Sequence, residues 1–144
     1  MRKLDADGVW AFFQTAFATP VATGFEMQSL DDAGLWLASR TGPEHLRPGG
    51  TLSGPTLFSL ADVAAYLWVA AHYGPAALAV TSQCHLHFLR RPAPGLLRAH
   101  ATTLKLGRRL ADVRVDLWVE EDLVASGTFT YAIPEGFSLA AHGA

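Results

Sequence analysis

The chain has 144 residues, half of them hydrophobic and only 17% charged, which excludes intrinsic disorder and points to one domain with its own core. A formal net charge of −2, with no basic stripe interleaved with aromatics, excludes the electrostatic footprint of a nucleic-acid partner. The lone Cys84 excludes an intrachain disulfide, and the first residues lack a signal-peptide core, so a soluble cytoplasmic protein is expected.

From about Asp5 to Ala18, Val9, Trp10, Phe13 and Phe17 recur at helical spacing, with Asp5 or Asp7 as cap and Thr19-Pro20 as stop. Strands are predicted around Phe25–Leu30 and Leu35–Arg40, with Asp31-Asp32-Ala33-Gly34 as the hairpin turn between them. A polar loop rich in Gly and Pro runs from Thr41-Gly42-Pro43 to Arg47-Pro48-Gly49-Gly50. A long apolar helix then begins with Ser53 near the cap and Pro55 in the first turn, where a missing N–H is harmless, and ends at Gly74-Pro75. Its apolar run contains Asp62 and falls short of a clean membrane span, so no membrane partner is expected.

The second half reads as four strands: Ala79–Leu89, Leu96–Leu106, Leu110–Glu120 and Leu123–Ile133. In the first, Val80, Cys84, Leu86 and Phe88 alternate with Thr81, Gln83, His85 and His87. In the third, Ala111, Val113, Val115, Leu117 and Val119 oppose Asp112, Arg114, Asp116 and Glu120. Turns at Pro92–Gly95, Gly107–Arg109 and Glu121–Asp122 are too short for parallel crossovers, so the pairing is antiparallel. The residues from about Ser138 read as a frayed tail. A helix apolar nearly all round must be enclosed on most sides, and a curved antiparallel sheet wrapped around it does this. The predicted class is α+β, in one domain spanning residues 1–144.

Asp62 is the candidate for chemistry. A carboxylate buried in an apolar run needs a partner, an opening to solvent or a function, and no Lys or Arg of the run can pair with it. Ser59 or water could instead satisfy it as a plain helix residue. No Ser/His/Asp spacing marks a serine nucleophile, and Gly49-Gly50 is followed by no phosphate-loop Lys. His85 and His87 share a face, but Cys84 lies on the other and no third ligand follows at a characteristic spacing, so no metal site is expected.

The segment Ser53-Gly54-Pro55-Thr56-Leu57-Phe58-Ser59-Leu60-Ala61-Asp62 resembles the His-Gly-Gly-x-x-x-x-Leu-x-Asp motif of the PaaI-like acyl-CoA thioesterases of the hotdog fold, with the acid in register. Thr81, Phe88-Leu89-Arg90-Arg91-Pro92-Ala93, Gly95, Ala99, Ala101, Gly107-Arg108 and Ala125-Ser126-Gly127-Thr128-Phe129 extend the resemblance over roughly Phe25 to Ile133. Ser53 stands where that group has His, Pro55 where it has its second Gly, and an Asn of some relatives falls at Arg47 or a neighbour.

The resemblance implies a hotdog fold and hydrolysis of an acyl-CoA to free acid and coenzyme A, with no cofactor beyond the coenzyme A of the substrate. Asp62 would be general base or nucleophile, and the Gly54 N–H at the helix start an oxyanion donor from a second chain. Ser53, Thr81 and Arg47 would lie near the reacting group. Phe58, Tyr66 or Trp68 would line the acyl pocket. Arg90, Arg91 and Arg108, clustered with Lys105 and Arg109 around two turns, would meet the phosphates of coenzyme A or serve as plain surface charge. A homodimer, or a tetramer made by pairing such dimers, is implied by the shared site, and the missing partner of Asp62 is expected on the other chain. The alternatives are a non-catalytic acyl-CoA or acyl-carrier binding protein and, with weaker support, hydratase chemistry.

Overall fold

The computed structural model describes residues 2–17, 24–74 and 78–135. Among these, helix α1 (Ala6–Ala16) precedes the hairpin strands β1 (Phe25–Asp31) and β2 (Gly34–Arg40). A 3-10 turn (Pro43–His45) leads to the long helix α2 (Gly54–Tyr73), and β3 (Val80–Phe88), β4 (Leu96–Leu106), β5 (Leu110–Val119) and β6 (Asp122–Ala132) follow. Local signals set most of these bounds. Asp5 caps α1 by accepting from the Gly8 N–H at 2.8 Å, and Ser53 caps α2 by accepting from the Thr56 N–H at 3.3 Å. Gly74, at φ 84°, closes α2 in the left-handed region and donates its N–H to Ala70 O. Thr19-Pro20, Pro75 and the tail from Ser138 lie outside the described residues. The turn into β6 comes one residue earlier than expected, because Glu120 takes a positive φ of 54° and Asp122 already pairs with Val119.

The strands form one antiparallel sheet in the order β1-β2-β4-β5-β6-β3, and it wraps α2 in the hotdog arrangement. By length and composition α2 could cross a membrane, with 20 residues and mean hydropathy 1.2, contrary to the expectation that the run falls short. Here its Leu57, Leu60, Ala61, Ala64 and Leu67 are packed away from solvent with Ala111, Val113, Val115 and Leu117 of β5. α1 adds Val9 and Phe13 to the same core. Burial of this apolar surface is what holds the helix in the sheet's concavity.

Two features of β3 position the site. First, Thr81 pairs with Tyr131 but Gln83 pairs with Thr130, so Ser82 is an extra residue forming a β-bulge. The bulge turns Thr81 toward α2, beside inward-facing Tyr131, and corrects the strict alternation that grouped Thr81 with Gln83, His85 and His87. Second, β3 is an edge strand whose residues are exposed throughout except half-buried Leu86. Gly127 lets β3 lie tightly against β6, since a Cβ there would come 1.9 Å from the His85 carbonyl oxygen.

Candidate active site

Asp62 sits half-buried on the flank of α2 that looks toward the start of β3. Thr81 Oγ1 donates to its Oδ1 at 2.9 Å, and the Tyr131 hydroxyl reaches the same Oδ1 at 2.6 Å and the Asp62 backbone oxygen at 2.9 Å. The hydrogen-bond partners of Asp62 are therefore on its own chain, which corrects the expectation that they come from a second one. Thr81 was expected near the reacting group, but its bond to Asp62 spans 19 residues of sequence and that of Tyr131 spans 69, and neither has a local signal. Among the described residues nothing bonds to Oδ2. Two donors on one oxygen fix the carboxylate's orientation and leave the other oxygen available.

Tyr131 is 2% exposed, and burial followed by the nearby charge of Asp62 raises its pKa far above the usual tyrosine range. It therefore stays a hydroxyl donor at all working pH values. Burial also raises the pKa of Tyr66. Phe17 meets the Tyr66 ring edge-on at 5.3 Å, and Phe12 stacks on it at 6.1 Å. With Val63, Ala79 and Val80, the residues Phe17, Asp62, Tyr66, Thr81 and Tyr131 line a cavity of about 300 Å³. Tyr131 was not foreseen. Its signal is an inward position in β6 two residues after Phe129, where a buried hydroxyl must find an acceptor.

A second cavity, of about 440 Å³, opens at the first turn of α2 between Gly54, Leu57, Phe88, Leu89 and Pro92. Arg90 and Arg91 of the expected cation cluster border it, and Arg47, expected near the reacting group, joins them. Of the first-turn N–H groups, that of Thr56 is taken by Ser53 Oγ and that of Leu57 by Ser53 O, and Pro55 has none. The Gly54 N–H is left without a hydrogen bond among the described residues. Ser53 serves as cap, also bonding Thr56 Oγ1 at 2.8 Å.

Other expectations need correction. Arg108 and Arg109 lie beyond β4, at the sheet end occupied by Val80, whereas Arg90 and Arg91 follow Phe88 at the opposite end. The five cations thus form no single cluster, and Arg109 pairs with Glu135. Trp68 is buried in the core and donates to Thr103 Oγ1, so it lines neither cavity. Phe58 is 38% exposed and packs on Phe129 at 5.8 Å, also outside both cavities. Within one chain, Asp62 and Gly54 lie eight residues apart on one helix, about 12 Å along its axis. They belong to different cavities.

The thioesterase superfamily profile matches residues 49–126, a span that includes Gly54, Asp62, Thr81 and Arg91. This chain belongs to the thioesterase superfamily. A solved structure from Silicibacter sp., assigned by name to the thioesterases, shares 40% identity over 93% of this chain and 94% of its own, with a TM-score of 0.84. A variant of the phenylacetic acid degradation protein PaaI from Thermus thermophilus is 32% identical over 78% of this chain and 96% of its own (TM-score 0.70). A phenylacetic acid degradation-related protein from Ralstonia eutropha is 27% identical over 85% and 96% (TM-score 0.77). No curated protein matches the sequence. These relatives bear out the PaaI-like resemblance, and thioesterase activity is the general reaction they support.

Proposed function

We propose that this thioesterase hydrolyses acyl-CoA at two composite sites of a homodimer, each joining Asp62 of one subunit to Gly54 of the other. The observation that carries this reading is the separation of Asp62 and Gly54 into two cavities of one chain. Neither cavity alone holds both a base and an oxyanion donor. β3 offers the means of assembly, because an exposed edge strand is a template for pairing with a second copy. Dimers of this kind would also be able to pair into a tetramer.

In this reading Asp62 Oδ1 is held by Thr81 and Tyr131 while Oδ2 takes a proton from water as that water attacks the thioester carbonyl carbon. The developing oxyanion accepts from the partner's Gly54 N–H, supported by the helix dipole. The carbon–sulfur bond then breaks, and the proton held on Asp62 Oδ2 passes to the leaving thiolate, restoring the carboxylate. Direct attack by Oδ2 through an anhydride uses the same geometry. Label transfer from oxygen-labelled water into the Asp62 carboxylate in a single turnover distinguishes the two. Arg47, Arg90 and Arg91 would hold the phosphates of coenzyme A, and the aromatic cavity beside Tyr66 would take the acyl group.

The test is subunit complementation. Asp62→Asn and Gly54→Pro, each inactive alone, are co-refolded in equal amounts. If each site uses both chains, half the dimers are mixed and each has one intact site. About a quarter of wild-type activity should then return. No recovery would mean that the site lies within one chain.

A further inference from the structure

The cavity beside Asp62 draws its walls from three parts of the fold. α2 supplies Asp62 and, one turn later on the same face, Tyr66. The sheet supplies Tyr131 of β6 and Thr81 of β3, together with Ala79 just before that strand. The remaining wall is Phe17, the residue that ends α1. Phe17 and all of α1 lie outside residues 49–126, which match the thioesterase profile, so the family motif does not fix what stands there.

The Phe17 ring is half-buried and held on two sides. Its N–H donates to Phe13 O at 3.1 Å, and Phe13 is fully buried, which ties the end of α1 to the core. Phe13 and Phe17 are one helical turn apart, with ring centroids 5.2 Å apart, and Phe17 meets Tyr66 edge-on. Phe12 stacks on the same Tyr66 ring. Rings packed in this way form a stiff wall rather than a yielding one.

Among the described residues that line the cavity none is Lys, Arg or His, and the carboxylate of Asp62 is the one charge. A second carboxylate brought into about 300 Å³ beside it would be desolvated, unpaired and repelled. That volume stands at the low end of the ~300–1,000 Å³ of small-molecule sites, so a long hydrocarbon chain exceeds it.

We propose that Phe17 is the specificity-determining residue for the acyl group, closing the cavity at α1 and restricting the substrates to short, uncharged, apolar acyl-CoA thioesters. The proposal rests on the acyl-CoA reading above. A longer chain must displace the Phe17 ring and break its contacts with Phe13 and Tyr66. A smaller side chain at this position lets the acyl chain run on against α1.

The experiment measures thiol release by the full chain, Phe17→Ala and Phe17→Trp from butyryl-, hexanoyl-, adipoyl- and dodecanoyl-CoA. Ratios of kcat/KM are compared within each protein, because they do not depend on the fraction that is active. In the wild type, hexanoyl-CoA should exceed adipoyl-CoA, its counterpart with a terminal carboxylate, by about 100-fold or more. The dodecanoyl-to-butyryl ratio should rise about 10-fold or more in Phe17→Ala and fall by a similar factor in Phe17→Trp, since single methylenes in an apolar pocket are already worth that much. Should Phe17→Ala fail to fold, Phe17→Leu takes its place with a smaller rise expected. Length ratios that stay at the wild-type value in both variants, even where every rate falls alike, overturn the role of Phe17 and leave thioester hydrolysis standing. Equal use of adipoyl- and hexanoyl-CoA overturns the restriction to uncharged acyl groups. A wild-type protein that turns over none of the four thioesters overturns the acyl-CoA reading itself, and this inference with it.

Discussion

Replacing Tyr131 by Phe removes one oxygen and keeps the ring that fills the space between β6 and α2. The lost hydroxyl lies 2.6 Å from Asp62 Oδ1 and 2.9 Å from its backbone oxygen, in a side chain that is 2% exposed. A hydrogen bond to a charged group is worth about 1.5–3 kcal/mol, and the half-exposed carboxylate can recover part of that from water in the ground state. Recovery by water restores solvation without restoring orientation, so the loss falls mainly on turnover. If most of the bond's worth is expressed in the transition state, kcat falls by about 10- to 100-fold. Stability should fall by only about 1 kcal/mol, since no cavity opens. The assay is thiol release from an acyl-CoA, with urea unfolding run in parallel. The decisive comparison is a double-mutant cycle with Asp62→Asn. A hydroxyl that acts through the carboxylate has no further effect once the carboxylate is gone. Wild-type kcat in Tyr131→Phe, or an undiminished effect of that substitution in the Asp62→Asn background, would refute the positioning role.

Deleting Ser82 removes the bulge but leaves Thr81 beside outward Gln83 and still opposite Tyr131, so the hydroxyl keeps its inward aim and kcat should fall less than in Thr81→Val. A deletion as impaired as Thr81→Val would show that pairing with Tyr131 is not what aims the hydroxyl. The triple variant Arg47→Ala/Arg90→Ala/Arg91→Ala should raise KM for acyl-CoA about tenfold or more with kcat little changed, and should flatten the salt dependence of KM. Burial lowers the pKa of His72 below its ordinary 6.5, as it does that of His100. The neutral imidazoles stabilise the fold above about pH 6.5, and that contribution is lost as the pH falls through their folded pKa values. Urea midpoints should therefore drop between about pH 7.5 and about pH 5.5, and less so in His72→Gln. Gly127→Ala should force β3 away from the strand that holds it and lower the thermal midpoint by several degrees, read by circular dichroism.

What the sequence determined by itself is local in origin. Ser53, Pro55 and Gly74 mark the ends of α2 through cap chemistry that involves only a few neighbouring residues. The alternation in β5 assigns Ala111, Val113, Val115 and Leu117 to the core because a strand has two faces. A long apolar helix followed by four strands with short turns already required a sheet wrapped around it. The motif ending at Asp62 marked the residue, and with it the family.

Tertiary structure alone decided the surroundings of that residue. Thr81 faces inward because an extra residue appears in the pairing with β6, and a bulge is a property of two strands rather than of one. Tyr131 meets Asp62 from 69 residues away, and only the closing of the sheet on α2 brings the two together. The same closure parts Arg108 from Arg90 and Arg91, which chain order groups around neighbouring turns. Short-range hydrogen bonding and side-chain periodicity are written in the sequence in the order in which they act. The side chains gathered around a carboxylate are set by register and curvature, which are fixed only when the whole sheet is paired.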